Sequence, residues 1–124
     1  MNWLEAERLV SRRLRDLNFL TGSLRRVKGP GDLIAIPLSY HKDRPLLVEV
    51  KATIDIPWSS GDNFGPVNRG GLLLAADVWD CEPMLAWVPP MPRGFAKSIF
   101  WLPEEDWPLD PATVGMAKTG MAPL

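Results

Sequence analysis

Residues 29–53 read GPGDLIAIPLSYHKDRPLLVEVKAT, and the fold turns on how this stretch doubles back on itself. Gly29-Pro30-Gly31 is a turn signal. Asp32–Pro37 and Leu46–Thr53 are short apolar runs that read as strands, joined across Leu38–Pro45. A hairpin folded symmetrically about Tyr40 and His41 opposes residues whose numbers sum to 81. Asp32 then faces Glu49, with the two Cα atoms within about 5.5 Å. Side chains alternate along a strand, so Lys51 shares a face with Glu49 while Val48 and Val50 take the other. Spacing alone thus gathers two carboxylates and an ammonium into one patch.

Upstream, residues 3–18 carry helical periodicity. Trp3, Ala6, Val10, Leu14 and Leu17 recur at three- and four-residue spacing and share one face. Asn2 and Glu5 have the spacing of a capping box. At about 100° per residue, Glu7 falls inside the edge of that apolar stripe, whereas Glu5 falls on the opposite side. A carboxylate on a packing face is costly unless it is paired or bound to a metal. Arg8 and Arg15 flank Glu7 on the same helix.

Further elements follow from the same rules. Leu24–Lys28 reads as a short strand after a loop at Leu20–Ser23. Residues 54–66 are rich in turn formers, and Val67–Cys81 reads as a second helix weakened near its start by Gly70-Gly71. Met84–Val88 and Ser98–Leu102 read as strands, and Pro103–Trp107 as a helical turn. The expected architecture is α/β: a central mixed sheet flanked by helices, with the second helix beside the first. Residues 1–110 form one domain, and 111–124 a flexible tail.

Composition bounds the function. No apolar run approaches the roughly 18 residues that span a bilayer, so no membrane partner is expected. The single cysteine, Cys81, cannot form an internal disulfide, which suits a reducing cytoplasm. Net charge is −1, but it is unevenly spread. Residues 1–51 hold ten Lys/Arg against six acids, and residues 52–124 hold four against nine. The half that carries the candidate site is therefore net basic, a surface that can recruit phosphate. Arg8, Arg12, Arg15, Arg25, Arg26 and Lys28 are the candidate DNA contacts. The tryptophan-rich second half (Trp79, Trp87, Ile99, Phe100, Trp101) offers apolar surface for a homodimer contact. His41, at the hairpin tip, reads as solvated.

Carboxylates held on a sheet make a hard, oxygen-rich site that suits Mg²⁺ or Mn²⁺ rather than zinc. A lysine beside such a cation can stabilise charge developing on a phosphate. Helix, then strands bearing Asp and Glu-x-Lys, then helix and strand, resembles the PD-(D/E)XK nucleases with their restriction-endonuclease-like core. Over residues 4–53 the pattern is most similar to the archaeal-type Holliday junction resolvases. It is carried by Ala6-Glu-Arg-Leu-Val with Phe19 twelve residues after Glu7, by Gly31-Asp-Leu-Ile-Ala, and by Val48-Glu-Val-Lys-Ala-Thr. The resemblance implies that Asp32 and Glu49 bind the metal together with the carbonyl of Val50. It implies that Lys51 is the catalytic lysine and that Glu7 completes the site. Asn68 and Ser23 match further polar positions of the family, the serine on a loop spanning Thr21–Lys28. Gly31 stands where the family has proline. The implied activity is a Mg²⁺-dependent endonuclease that cuts a four-way DNA junction by paired nicks, acting as a homodimer. Rival readings are a relative cutting other DNA, a nuclease for RNA, and a non-catalytic DNA-binding module on the same fold.

Overall fold

The computed structural model describes residues 3–27, 29–38, 44–58, 64–90 and 98–108. Asn2, Lys28, the Tyr40–His41 hairpin tip and the tail beyond Pro108 lie outside the described residues. In chain order the elements are α1 (Trp3–Asp16), β1 (Phe19–Ser23), β2 (Leu33–Pro37), β3 (Leu46–Lys51), α2 (Pro66–Val78), β4 (Glu82–Trp87) and β5 (Phe100–Pro103), followed by a 3₁₀ turn at Glu104–Asp106. The strands form one mixed sheet in the order β1-β2-β3-β4-β5. β3 and β4 run parallel, and the α2 crossover makes that possible; every other pair is antiparallel.

The register of β2 on β3 is the one read from the hairpin: Leu33 opposes Val48, Ile34 opposes Leu47 and Ala35 opposes Leu46. Alternation then sorts the apolar residues into two cores, one on each face of the sheet. Val48 and Val50 of β3 pack with Leu33, Ala35 and Ala86 under Ala6, Val10 and Leu14 of α1. Leu47, Leu85 and Leu102 pack with Trp58, Phe64 and Trp107 under Leu72 and Ala76 of α2. The two helices thus cover opposite faces, rather than lying side by side as the sequence suggested. A parallel β3-α2-β4 unit with α1 already on the first face leaves the second for α2.

Other boundaries shift as well. The first strand is Phe19–Ser23, not Leu24–Lys28. The cause is the end of α1: Asn18 takes a left-handed conformation (φ 69°), which stops the helix at once. Leu38 N–H then donates to Asn18 O at 2.9 Å, so the chain enters the β1-β2 ladder immediately and Arg25-Arg26 falls in the following turn. Trp3 and Leu17, placed on the buried stripe of the helix, are 59% and 42% exposed. The tryptophans of the second half are largely spent inside the protein. Trp87, Trp101 and Trp107 are buried, Ile99 entirely so, whereas Trp79 remains 44% exposed and Phe100 is half-buried. They cover both faces of β4 and β5 and do not supply the expected apolar exterior.

Candidate active site at the open end of β2 and β3

The ladder between β2 and β3 stops at Leu33 and Val48, and the residues just beyond it make the site. Asp32 N–H donates to Val48 O at 2.8 Å, which locks the turn onto β3. The Asp32 side chain then takes the place of the next backbone acceptor, with Oδ2 receiving Val50 N–H at 2.7 Å. Gly31 N–H donates to Glu49 Oε2 at 3.3 Å. Gly31 has φ +93°, and a Cβ built there would lie 2.7 Å from Leu47 Cδ1, so this close approach requires glycine. Proline at this position, as in the family resembled, would have no N–H to give Glu49.

Glu49 and Lys51 share a face of β3 as expected, with Lys51 Nζ 3.6 Å from Glu49 Oε1 and both side chains largely buried. The Asp32 and Glu49 carboxyl groups are neighbours, Asp32 acting directly on the Glu49 carboxyl. Burial and the neighbouring Asp32 push Glu49 up to about 7, against the opposing pull of Lys51 and the Gly31 amide. Glu7 reaches the site from α1. It is 5% exposed, and its carboxyl is also raised, first by burial and then by Asp32, with Arg25 lowering it. Asp32 is thus the shared neighbour of both glutamates. The site holds more negative charge than one lysine and one arginine comfortably offset, at a place where water offers little screening.

The strand geometry also orients the Val50 carbonyl. Lys51 O turns toward β4 and accepts Val88 N–H at 2.8 Å, while Val48 O turns toward β2. Val50 shares the orientation of Val48, so its carbonyl faces the gap where β2 has ended and where Asp32 occupies the N–H. Hard oxygen donors with surplus negative charge fit Mg²⁺ or Mn²⁺. The fit rests on the Asp32-Glu49 pair. Among the described residues no three acidic, His or Cys side chains converge closely enough to cage an ion. Glu7 stands back from the pair, and neither of its oxygens has a hydrogen-bond partner among the described residues.

The structure is similar to that of Archaeoglobus fulgidus Hjc, a Holliday junction resolvase from an archaeal hyperthermophile. The TM-score is 0.60 at 17% sequence identity, over 82% of this chain and 71% of that one. The chain shares the fold of that protein. No family model and no curated sequence matches it.

The remaining candidates on this fold are spread around the site. Arg8, Arg12 and Arg15, four and three residues apart, line the exposed side of α1. Arg25 and Arg26 are exposed on the turn after β1. Ser23 is engaged locally: its Oγ accepts from Arg25 N–H at 3.3 Å and from Arg25 Nε–H at 3.4 Å. Asn68 is exposed in the first turn of α2, a helix that comes so near the site's turn at Gly71 that a Cβ there would lie 3.2 Å from Pro30 Cγ. Sequence reasoning did not foresee the Gly31 amide as a partner of Glu49. The positive φ it needs was legible only as a Gly-Pro-Gly turn. Nor did it foresee that Trp3 would lie 5.9 Å from the Arg25 guanidinium, a contact across two elements that no local pattern encodes.

Proposed function

We propose that the chain is a metal-dependent, structure-selective DNA endonuclease that resolves four-way junctions by paired nicks. The observation that supports this best is the meeting of Asp32, Glu49 and Lys51 at the open end of β2 and β3, on a resolvase fold. Asp32, Glu49 and the Val50 carbonyl would hold Mg²⁺ or Mn²⁺, with Glu7 beside them. When bound, such a cation polarises a phosphoryl oxygen and lowers the pKa of an attacking water. Lys51 donates to the oxygens of the attacked phosphate, where negative charge grows. Glu49, held near 7 by burial and by Asp32 in the metal-free protein, would give up its proton on taking the cation. Arg8, Arg12, Arg15, Arg25, Arg26 and Lys28 neutralise DNA phosphates, so binding should weaken steeply with salt.

Paired nicks in opposing strands need two sites related by a two-fold axis, hence a homodimer. With most tryptophans buried, the surface for that contact is the outer stripe of α2. Val67, Leu74 and Val78 recur there at seven- and four-residue spacing and are 86%, 66% and 70% exposed, with Trp79 at the helix end. Leu74→Glu with Val78→Glu should give a folded monomer by sedimentation that nicks junctions once but does not resolve them. Labelled junction, flap, duplex and single-stranded DNA, and RNA, incubated with Mg²⁺, test the substrate. Paired cuts confined to the junction are expected, and equal cutting of plain duplex or RNA would overturn the assignment.

A further inference from the structure

The Glu7 carboxylate is in an unusual position. It is 5% exposed, yet neither oxygen accepts a hydrogen bond among the described residues. Its ion pair is with Arg25, at 3.8 Å from Nε to Oε2, beyond the reach of a hydrogen bond. A buried carboxylate normally demands close partners, because it has given up its water. Glu7, Arg8, Ser11, Thr21, Ser23 and Arg25 line a cavity of about 100 Å³ beside the ion pair, room for a few waters. Ser11 and Thr21 hydroxyls hydrogen-bond each other at 2.8 Å across its wall.

Arg25 itself is loosely held. Its Nε–H donates to Ser23 Oγ at 3.4 Å, the guanidinium lies 5.9 Å from the Trp3 ring, and nearly half of the side chain is open to solvent. Each of these contacts is long. A phosphate diester offers a guanidinium two short, charge-assisted hydrogen bonds, which the distant Glu7 carboxylate does not. Arg25 therefore has a better partner in the DNA backbone than in the protein. Its departure would leave Glu7 buried, charged and without a counter-cation, next to Asp32.

We propose that Arg25 is an exchangeable counter-cation of Glu7: it leaves for a DNA phosphate and thereby couples metal loading to DNA binding. This rests on the nuclease reading above and assigns Arg25 a positioning role beyond general attraction of DNA. Without DNA, Arg25 offsets the charge of Glu7 and so weakens the pull of the adjoining carboxylates on a divalent cation; with DNA, that offset is lifted. By linkage, the metal then strengthens DNA binding by the same factor.

Mn²⁺ binding followed by electron paramagnetic resonance tests this without relying on cleavage. All proteins carry Lys51→Ala so that added junction DNA stays intact, and each is first checked for cooperative thermal unfolding. Arg25→Ala should tighten Mn²⁺ binding roughly 5-fold or more in the absence of DNA and erase the further tightening that DNA brings. Arg44→Ala, which removes the same charge at the far end of β3, where it pairs with Asp80 and Glu82, should change neither. In a Glu7→Gln background, Arg25→Ala should have no effect, since the coupling runs through that carboxylate. Unchanged or weaker Mn²⁺ binding in Arg25→Ala overturns the proposal, as does an effect that survives Glu7→Gln. If Mn²⁺ binds and Asp32→Asn abolishes it, such a result leaves the nuclease reading standing; if Mn²⁺ never binds, both fail.

Discussion

The two ends of β3 carry the same kinds of charged residue in opposite circumstances. Before the strand begins, Arg44 bridges Asp80 and Glu82, joining the start of β3 to the turn that leads into β4. All three side chains are about half exposed or more, water screens them, and such pairs add little to stability. At the other end Asp32, Glu49 and Lys51 are sheltered by the sheet, and Glu49 is displaced to about 7. The difference is burial and balance, not residue type. Charges that satisfy one another in water tie two segments together; carboxylates crowded out of water lack that balance. Local stability has been given up at one end of the strand, which is what a functional site requires.

The largest expected effects break the buried end. Asp32→Asn and Lys51→Ala should each reduce cleavage at least about 100-fold under single-turnover conditions, while keeping most of the DNA affinity. Asp32→Asn should also raise the melting temperature of the metal-free protein. It preserves an acceptor for Val50 N–H while removing the charge that crowds both Glu7 and Glu49. A mutant that loses function and gains stability is the signature of a strained site.

Gly31→Ala should cost about 1–3 kcal/mol in chemical denaturation, from its left-handed φ and the clash with Leu47. A pH series sharpens the contrast further. Glu49 has its folded pKa raised from 4.5 to about 7, so between those values the native state holds the extra proton. Stability is then fully present below about pH 4.5 and is lost as pH rises through 7. The melting temperature of the metal-free protein should fall from pH 5 to pH 8, and added Mg²⁺ should restore more of it at pH 8 than at pH 5. The smallest effect is at the solvated end, where Arg44→Ala should move the melting temperature by no more than about 2 °C.

Much of this was legible in the sequence because the decisive contacts are short-range or periodic. A hairpin register follows from the apolar pattern and the turn, so the sequence alone places Asp32 opposite Glu49 and Lys51 beside it. The position of Glu7 within an apolar helical stripe predicted its burial. What could not be read depends on contacts between distant elements. Which face α2 would choose, and which tryptophans β4 and β5 would bury, are decided by the other layers already in place. The strand at Phe19–Ser23 was hidden because its start depends on one asparagine, Asn18, adopting a left-handed turn. The ring of Trp3 over Arg25 is a tertiary contact with no sequence spacing to announce it.

The central claim is that Asp32 and Glu49 form a metal-dependent cutting centre, and one measurement addresses it most directly. A labelled four-way junction is incubated with excess protein, with Mg²⁺ or with EDTA, using the wild-type chain and Asp32→Asn. Cuts at paired, symmetric positions by the wild-type protein with Mg²⁺, and none in EDTA or with Asp32→Asn, are the expected result. An intact junction in every lane, or equal cutting by Asp32→Asn, would contradict the account.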